Sequence, residues 1–170
     1  LYDLNFGKTI YTVTITIQLA ALKASPSLPI IGKIVHFDNN DYMDGGITEM
    51  IPIKEAINDS CNRHLVISTK PIDYVRKPAK KIVVDVMKLY YPKWPSVSND
   101  YNVRHLNFNE QINIIKDLDS KNEAVFIYPT GHFNVNRLKG SEEDLIDLFN
   151  HGIEVMEENK ERIFKLLNND

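Results

Sequence analysis

Cysteine is nearly absent from this chain. Cys61 is the single one among 170 residues, so no intramolecular disulfide can form and nothing calls for an oxidising compartment. Long apolar runs are missing too. A membrane-spanning helix needs about 20 consecutive apolar residues, and no stretch of this sequence supplies them. Positive charge is not in excess: 20 Lys and Arg stand against 23 Asp and Glu, a net charge of -3. That balance argues against a general nucleic-acid binder. No charged stretch followed by an apolar one opens the sequence, so a cytoplasmic location is expected, with peripheral membrane contact as an option. Internal repeats and low-complexity segments are also lacking.

What is present is ordinary globular material: 43% hydrophobic and 25% charged residues. At 170 residues one domain, 1–170, is expected, since domains commonly hold roughly 100–200 residues. The chain opens Leu1-Tyr2-Asp3-Leu4 rather than with methionine, which suggests a piece of a longer protein.

Hydrophobic periodicity predicts the elements. Residues 10–17 alternate Thr12, Thr14 and Thr16 with Val13, Ile15 and Ile17, the period of a strand with one buried face. A short helix is expected over 18–23, ended by Ser25-Pro26. A strand is predicted over 30–38, a turn at Asn39-Asn40-Asp41, and a helix from Pro52 through Ile57. A buried strand is then expected over 64–69. Strand, helix, strand in that order is the signature of an α/β unit.

An amphipathic helix is predicted over 77–91, with Ile82, Val83, Val86, Leu89 and Tyr90 as its apolar face, stopped by Pro92 and Pro95. A second helix follows over about 99–118 and a last strand over 123–128. Ser141 to Asp144 reads as a capping box, opening a helix with a break near Gly152.

The segment with chemical content is Tyr42-Met43-Asp44-Gly45-Gly46-Ile47-Thr48-Glu49-Met50-Ile51-Pro52. Two glycines after an aspartate allow a sharp turn and leave the carboxylate uncrowded. Alone, this is equally an Asp-Gly hairpin turn. Its context says more. Ala24-Ser25-Pro26-Ser27-Leu28-Pro29 lies upstream, and Ile51-Pro52 leads through a helix into Leu65-Val66-Ile67-Ser68-Thr69. Ile127-Tyr128-Pro129, then Arg137 in a loop, then an acidic helix come later.

This combination resembles patatin-like phospholipases, most closely a bacterial subgroup, with the resemblance clearest over 19–70 and 123–167. The resemblance implies an α/β fold: a three-layer patatin-like sheet flanked by helices, of which this chain is the C-terminal part. It implies a serine–aspartate dyad acyl hydrolase acting on a lipid or small acyl ester. On that motif Asp44 carries over as the dyad aspartate, with Gly45 and Gly46 shaping its turn. No metal or organic cofactor is implied.

The departure from the family pattern is large. The seven glycines, at 7, 32, 45, 46, 131, 140 and 152, bracket no serine as Gly-x-Ser-x-Gly. The glycine-rich oxyanion loop is missing as well. Both precede Asp-Gly-Gly in the family, so the chain is expected to hold only the aspartate half of the dyad. The alternative is a non-catalytic fragment or degenerate relative acting as a binding or membrane-surface module.

Ser25 and Ser27 sit in no nucleophile elbow and are read as structural. His36, His64, His105, His132 and His151 show no i, i+4 pair, so no metal site is expected. His132 follows a strand end, where α/β ligand sites form. Asn58-Asp59-Ser60 fits a glycosylation pattern that matters only on secretion. Residues 63–93 carry eight basic and two acidic side chains. The cationic helix predicted over 77–91, with Tyr74, Tyr90, Tyr91 and Trp94 nearby, is either an ordinary core-packed helix or a surface for anionic membrane. A homo-oligomer is expected, because a cut parallel sheet offers strand edges for pairing.

Overall fold

Asp38 and Asn39 both adopt positive φ, 48° and 61°. Two such residues make the tight two-residue turn that matches the twist of an antiparallel hairpin, and Asp and Asn tolerate that conformation better than other side chains. The hairpin they close joins β3 (Val35–Phe37) to β4 (Asn40–Met43), with Val35 opposite Tyr42 and Phe37 opposite Asn40. The turn thus falls one residue before the predicted one, and Asn40 and Asp41 are strand.

The structure is a computed structural model that describes residues 1–11, 19–131, 133, 135 and 140–168. The alternating strand predicted over 10–17 falls largely outside the described residues, as do His132 and Arg137. By secondary structure the chain is mixed α/β, with helix at 50% and strand at 12%. It divides into two compact units.

The first unit comprises Leu1–Pro52 and Arg76–Gln111. Its four-stranded antiparallel sheet has the order β2-β1-β4-β3, with β1 at Tyr2–Asp3 and β2 at Lys8–Thr9. Helix α1 (Leu19–Ala24) ends at the predicted Ser25-Pro26. Tyr2, Leu4, Met43, Ile47, Met87, Tyr91 and Val97 form its core. The Tyr2 hydroxyl donates to Asp100, and burial first, then that bond, pushes its pKa up.

Helix α3 spans Lys81–Tyr90 and buries Val84 and Met87. Ile82, Leu89 and Tyr90 stay exposed, so the face against the core is turned from the predicted one, and the helix starts later than predicted. Helix α4 (Pro95–Ser120) opens on Pro95. Proline suits a first helical position, where its missing N–H costs nothing, so Pro95 starts a helix rather than stopping one.

The predicted strand over 30–38 shrinks to β3. Ile30 takes φ 72° and gives its N–H to the Tyr91 hydroxyl at 2.7 Å, a conformation a strand residue does not adopt. The chain then folds back so tightly that a Cβ on Gly32 would lie 2.8 Å from the Leu28 nitrogen. No side chain fits there.

The second unit comprises Ile53–Val75 and Ile112–Asp170. Helix α2 (Ile53–Asn58) leads to β5 (His64–Ile67), which pairs in parallel with β6 (Ala124–Ile127), His64 beside Ala124. All four residues of β6 are buried, whereas Leu65 and Ile67 of β5 are 46% and 64% exposed. The apolar run of β5 reads as a buried strand, yet it is covered on one face only. The Phe126 N–H of β6 points to the Asp119 carboxylate at 2.8 Å, which Arg162 holds at 2.7 Å.

Helix α5 (Glu142–Glu158) starts on the predicted capping box. Ser141 accepts the Asp144 N–H at 3.1 Å, and Asp144 accepts the Ser141 N–H at 2.9 Å. It runs unbroken through Gly152 and ends at Asn159, before α6 (Lys160–Asn168). Val125, Ile127, Val155 and Leu166 form the core of this unit. The predicted single central sheet is therefore absent among the described residues: β4 and β5 lie in separate sheets.

Candidate functional site

Asp44 is the residue after β4, whose last two side chains, Tyr42 and Met43, are buried. That anchoring sets where the turn begins. Asp44 then caps a single 3-10 turn over Gly45–Ile47, its Oδ1 accepting the Gly46 N–H at 2.8 Å. The Asp44 N–H donates to the Ser27 carbonyl at 3.0 Å, so the turn is tied to the Ser25–Pro29 segment. Asp44 is half-buried. Its second carboxylate oxygen has no hydrogen bond among the described residues.

Both glycines sit in tight places. A Cβ on Gly46 would stand 3.1 Å from Asp44 Oδ1, crowding the carboxylate, and a Cβ on Gly45 would stand 3.2 Å from the Leu1 backbone nitrogen. Contacts that close are tighter than ordinary packing allows. Glu49, the next acid along, differs. Its carboxylate takes the Tyr11 hydroxyl and lies 3.5 Å from Gln111 Nε2. Asp44 alone of the two keeps an oxygen for another group.

Ser27 is buried, and its hydroxyl donates to the Lys33 carbonyl. The Ser25 N–H donates to Ala21 at the end of α1. Neither serine is presented to Asp44 as a nucleophile by these bonds.

The histidines do not converge. His36 pairs with Asp41, His105 Nδ1 lies 3.0 Å from the Asn102 carbonyl, and His64 is buried. Among the described residues no group of three or more His, Cys, Asp or Glu could hold a metal ion. Cys61 is exposed and unpaired.

One feature of the second unit lies outside the motif-based reading. A cleft of about 280 Å³ opens at the carboxyl ends of β5 and β6, bordered by Ile67, Ile127, Leu148, His151, Val155 and Met156. The position after a strand end points to His132, which lies outside the described residues; His151, in the third turn of α5, borders the cleft.

A protein family described as a domain of unknown function (DUF6363) matches residues 94–168. No curated protein matches the chain, and no solved structure matches it. Asp44 lies outside the matched stretch, and most of the cleft lies within it. No described helix is long and apolar enough to cross a membrane.

Proposed function

We propose that Asp44 is the general base of a patatin-like serine acyl hydrolase, and that this chain contributes the aspartate half of its dyad. The observation that carries this reading is the Asp44 turn. One carboxylate oxygen is fixed by the Gly46 N–H at 2.8 Å and the other takes no hydrogen bond among the described residues. A fixed carboxylate with a free oxygen is what proton transfer requires, since the proton must arrive at a stated place without rearrangement.

The chemistry runs as follows. The free oxygen of Asp44 takes the proton of a serine hydroxyl while its oxygen attacks the ester carbonyl carbon. The tetrahedral intermediate collapses, the carbon–oxygen bond to the alcohol breaks, and Asp44 returns the proton to the departing alkoxide. Water then attacks the acyl-enzyme, gives a proton to Asp44, and the serine leaves with that proton. The serine belongs to a Gly-x-Ser-x-Gly segment, which this sequence does not contain. The substrate is a lipid or small acyl ester.

Hydrolysis of a short-chain nitrophenyl ester tests this in a polypeptide that joins these residues to a Gly-x-Ser-x-Gly segment. Asp44→Asn should lower kcat by about 100-fold or more, the usual worth of a positioned base. Activity unchanged in that variant overturns the assignment.

A second reading, a membrane-surface module, is favoured by α3. Ile82, Leu89 and Tyr90 are exposed on it, and Lys77, Lys80 and Lys81 at and before its start are exposed too. Cationic side chains flanking exposed apolar ones suit an anionic interface. Pelleting with anionic vesicles should weaken when Lys77, Lys80 and Lys81 become glutamate, and equal pelleting removes this reading.

A further inference from the structure

We propose that the cleft at the carboxyl ends of β5 and β6 binds a small uncharged molecule with an aliphatic body. This goes beyond the hydrolase reading and does not rest on it.

The first observation is placement. Ile67 and Ile127 are the last residues of two parallel strands, and the space beyond such strand ends is where open α/β sheets take their ligands.

The second is chemistry. Ile67, Ile127, Leu148, Val155 and Met156 supply carbon surface. Among the described polar side chains at the border, those of His151 and Ser68 are already engaged, which leaves the hydroxyls of Thr69 and Tyr128. His151 Nε2 accepts the Thr130 N–H at 3.1 Å, and its ring lies against Phe133 with centroids 4.8 Å apart. The Ser68 hydroxyl donates to the Lys70 carbonyl at 3.0 Å and accepts the Lys70 N–H at 2.9 Å. Among the described residues no Lys, Arg, Asp or Glu borders the space. The cleft therefore offers burial and very little hydrogen bonding. A charged ligand would lose its hydration there without replacement, whereas an apolar body gains from leaving water.

The third is Gly152. It sits inside α5, where glycine costs about 1 kcal/mol relative to alanine. Packing among the described residues does not require it: a Cβ there would meet none of their atoms within 4 Å. What the glycine does is leave room beside the cleft it borders.

Size sets the ligand class. An apolar cavity of about 150 Å³ holds a benzene-sized molecule. The roughly 280 Å³ here suits something about twice as large, well short of a diacyl lipid.

Titration of the 170-residue chain with 1-octanol, followed by calorimetry at two temperatures and by methyl NMR, tests the proposal. Saturable binding is expected, with a negative heat-capacity change and shifts centred on Ile67, Leu148, Val155 and Met156. Gly152→Leu fills the space and should weaken binding by about tenfold or more. Gly152→Ala, which keeps the helix, should weaken it less; it carries the test if Gly152→Leu does not fold. Octanol that fails to saturate overturns the proposal. So does undiminished binding in both variants, or octanoate binding as tightly as octanol. A dimer that closes the cleft and that octanol leaves intact overturns it as well.

Discussion

Gly46 in the first unit and Gly152 in the second are glycines for opposite reasons. A Cβ at Gly46 would press on the Asp44 carboxylate at 3.1 Å, whereas a Cβ at Gly152 would touch nothing among the described residues. The first glycine lets the protein's own groups come together. The second keeps them apart. The two units differ in the same way more broadly. The first builds a polar turn in which a carboxylate is held by its own backbone. The second leaves a mostly apolar space bordered by few polar side chains among the described residues. A glycine demanded by close approach points to local architecture, and a glycine that packing does not demand points to the space beside it.

The contrast can be broken most sharply in the strands. Phe126→Ala on fully buried β6 should cost about 3–5 kcal/mol in denaturant unfolding. Leu65→Ala on half-covered β5 should cost well under half as much, because part of its surface already meets water. Equal losses would mean that β5 is covered in solution.

The glycines give the next largest effects, with opposite signs. Gly32→Ala should destabilise by more than 1 kcal/mol, on the order of overpacking penalties, since its Cβ would collide with the Leu28 backbone nitrogen at 2.8 Å. Gly152→Ala should stabilise by about 0.5–1 kcal/mol through helix propensity. A loss of stability in Gly152→Ala would show that the position is packed after all.

The smallest effect concerns pH. Hydrogen bonds from the Ser141 backbone and then its hydroxyl hold the Asp144 carboxyl below the usual carboxylate range. Its folded pKa lies below its unfolded one. Its stabilising effect is therefore present above the ordinary Asp range and fades as pH falls through the lowered value. Acid unfolding of Asp144→Asn should be less steep in that window, and an unchanged pH profile would remove the capping box from the account.

Local features were legible in the sequence and distant ones were not. The capping box at Ser141–Asp144 and the carboxylate turn at Asp44 both depend on residues within three positions of each other, and both are present. The hydrogen bond from Asp44 to Ser27 joins residues 17 positions apart, and no local pattern announces it. Ile30 and Ile31 read as strand because they are apolar and β-branched. The Pro29 before them and the tight approach at Gly32 override that propensity, and Ile31 ends 84% exposed. Apolar composition likewise could not say that β5 would be open on one face, since that depends on which chain segments cover it. The cleft was missed for the same reason: Ile67, Ile127 and Met156 are 60 and 29 positions apart in sequence, and no local pattern announces that they meet.

Labelling with a fluorophosphonate, which reacts with activated serines, tests the Asp44 assignment most directly. In a polypeptide that supplies Gly-x-Ser-x-Gly, the label should reach that serine and slow by about 100-fold in Asp44→Asn, while the 170-residue chain alone should take no label at Ser25 or Ser27. Labelling that Asp44→Asn leaves unchanged, or label on either of those two serines, would contradict it.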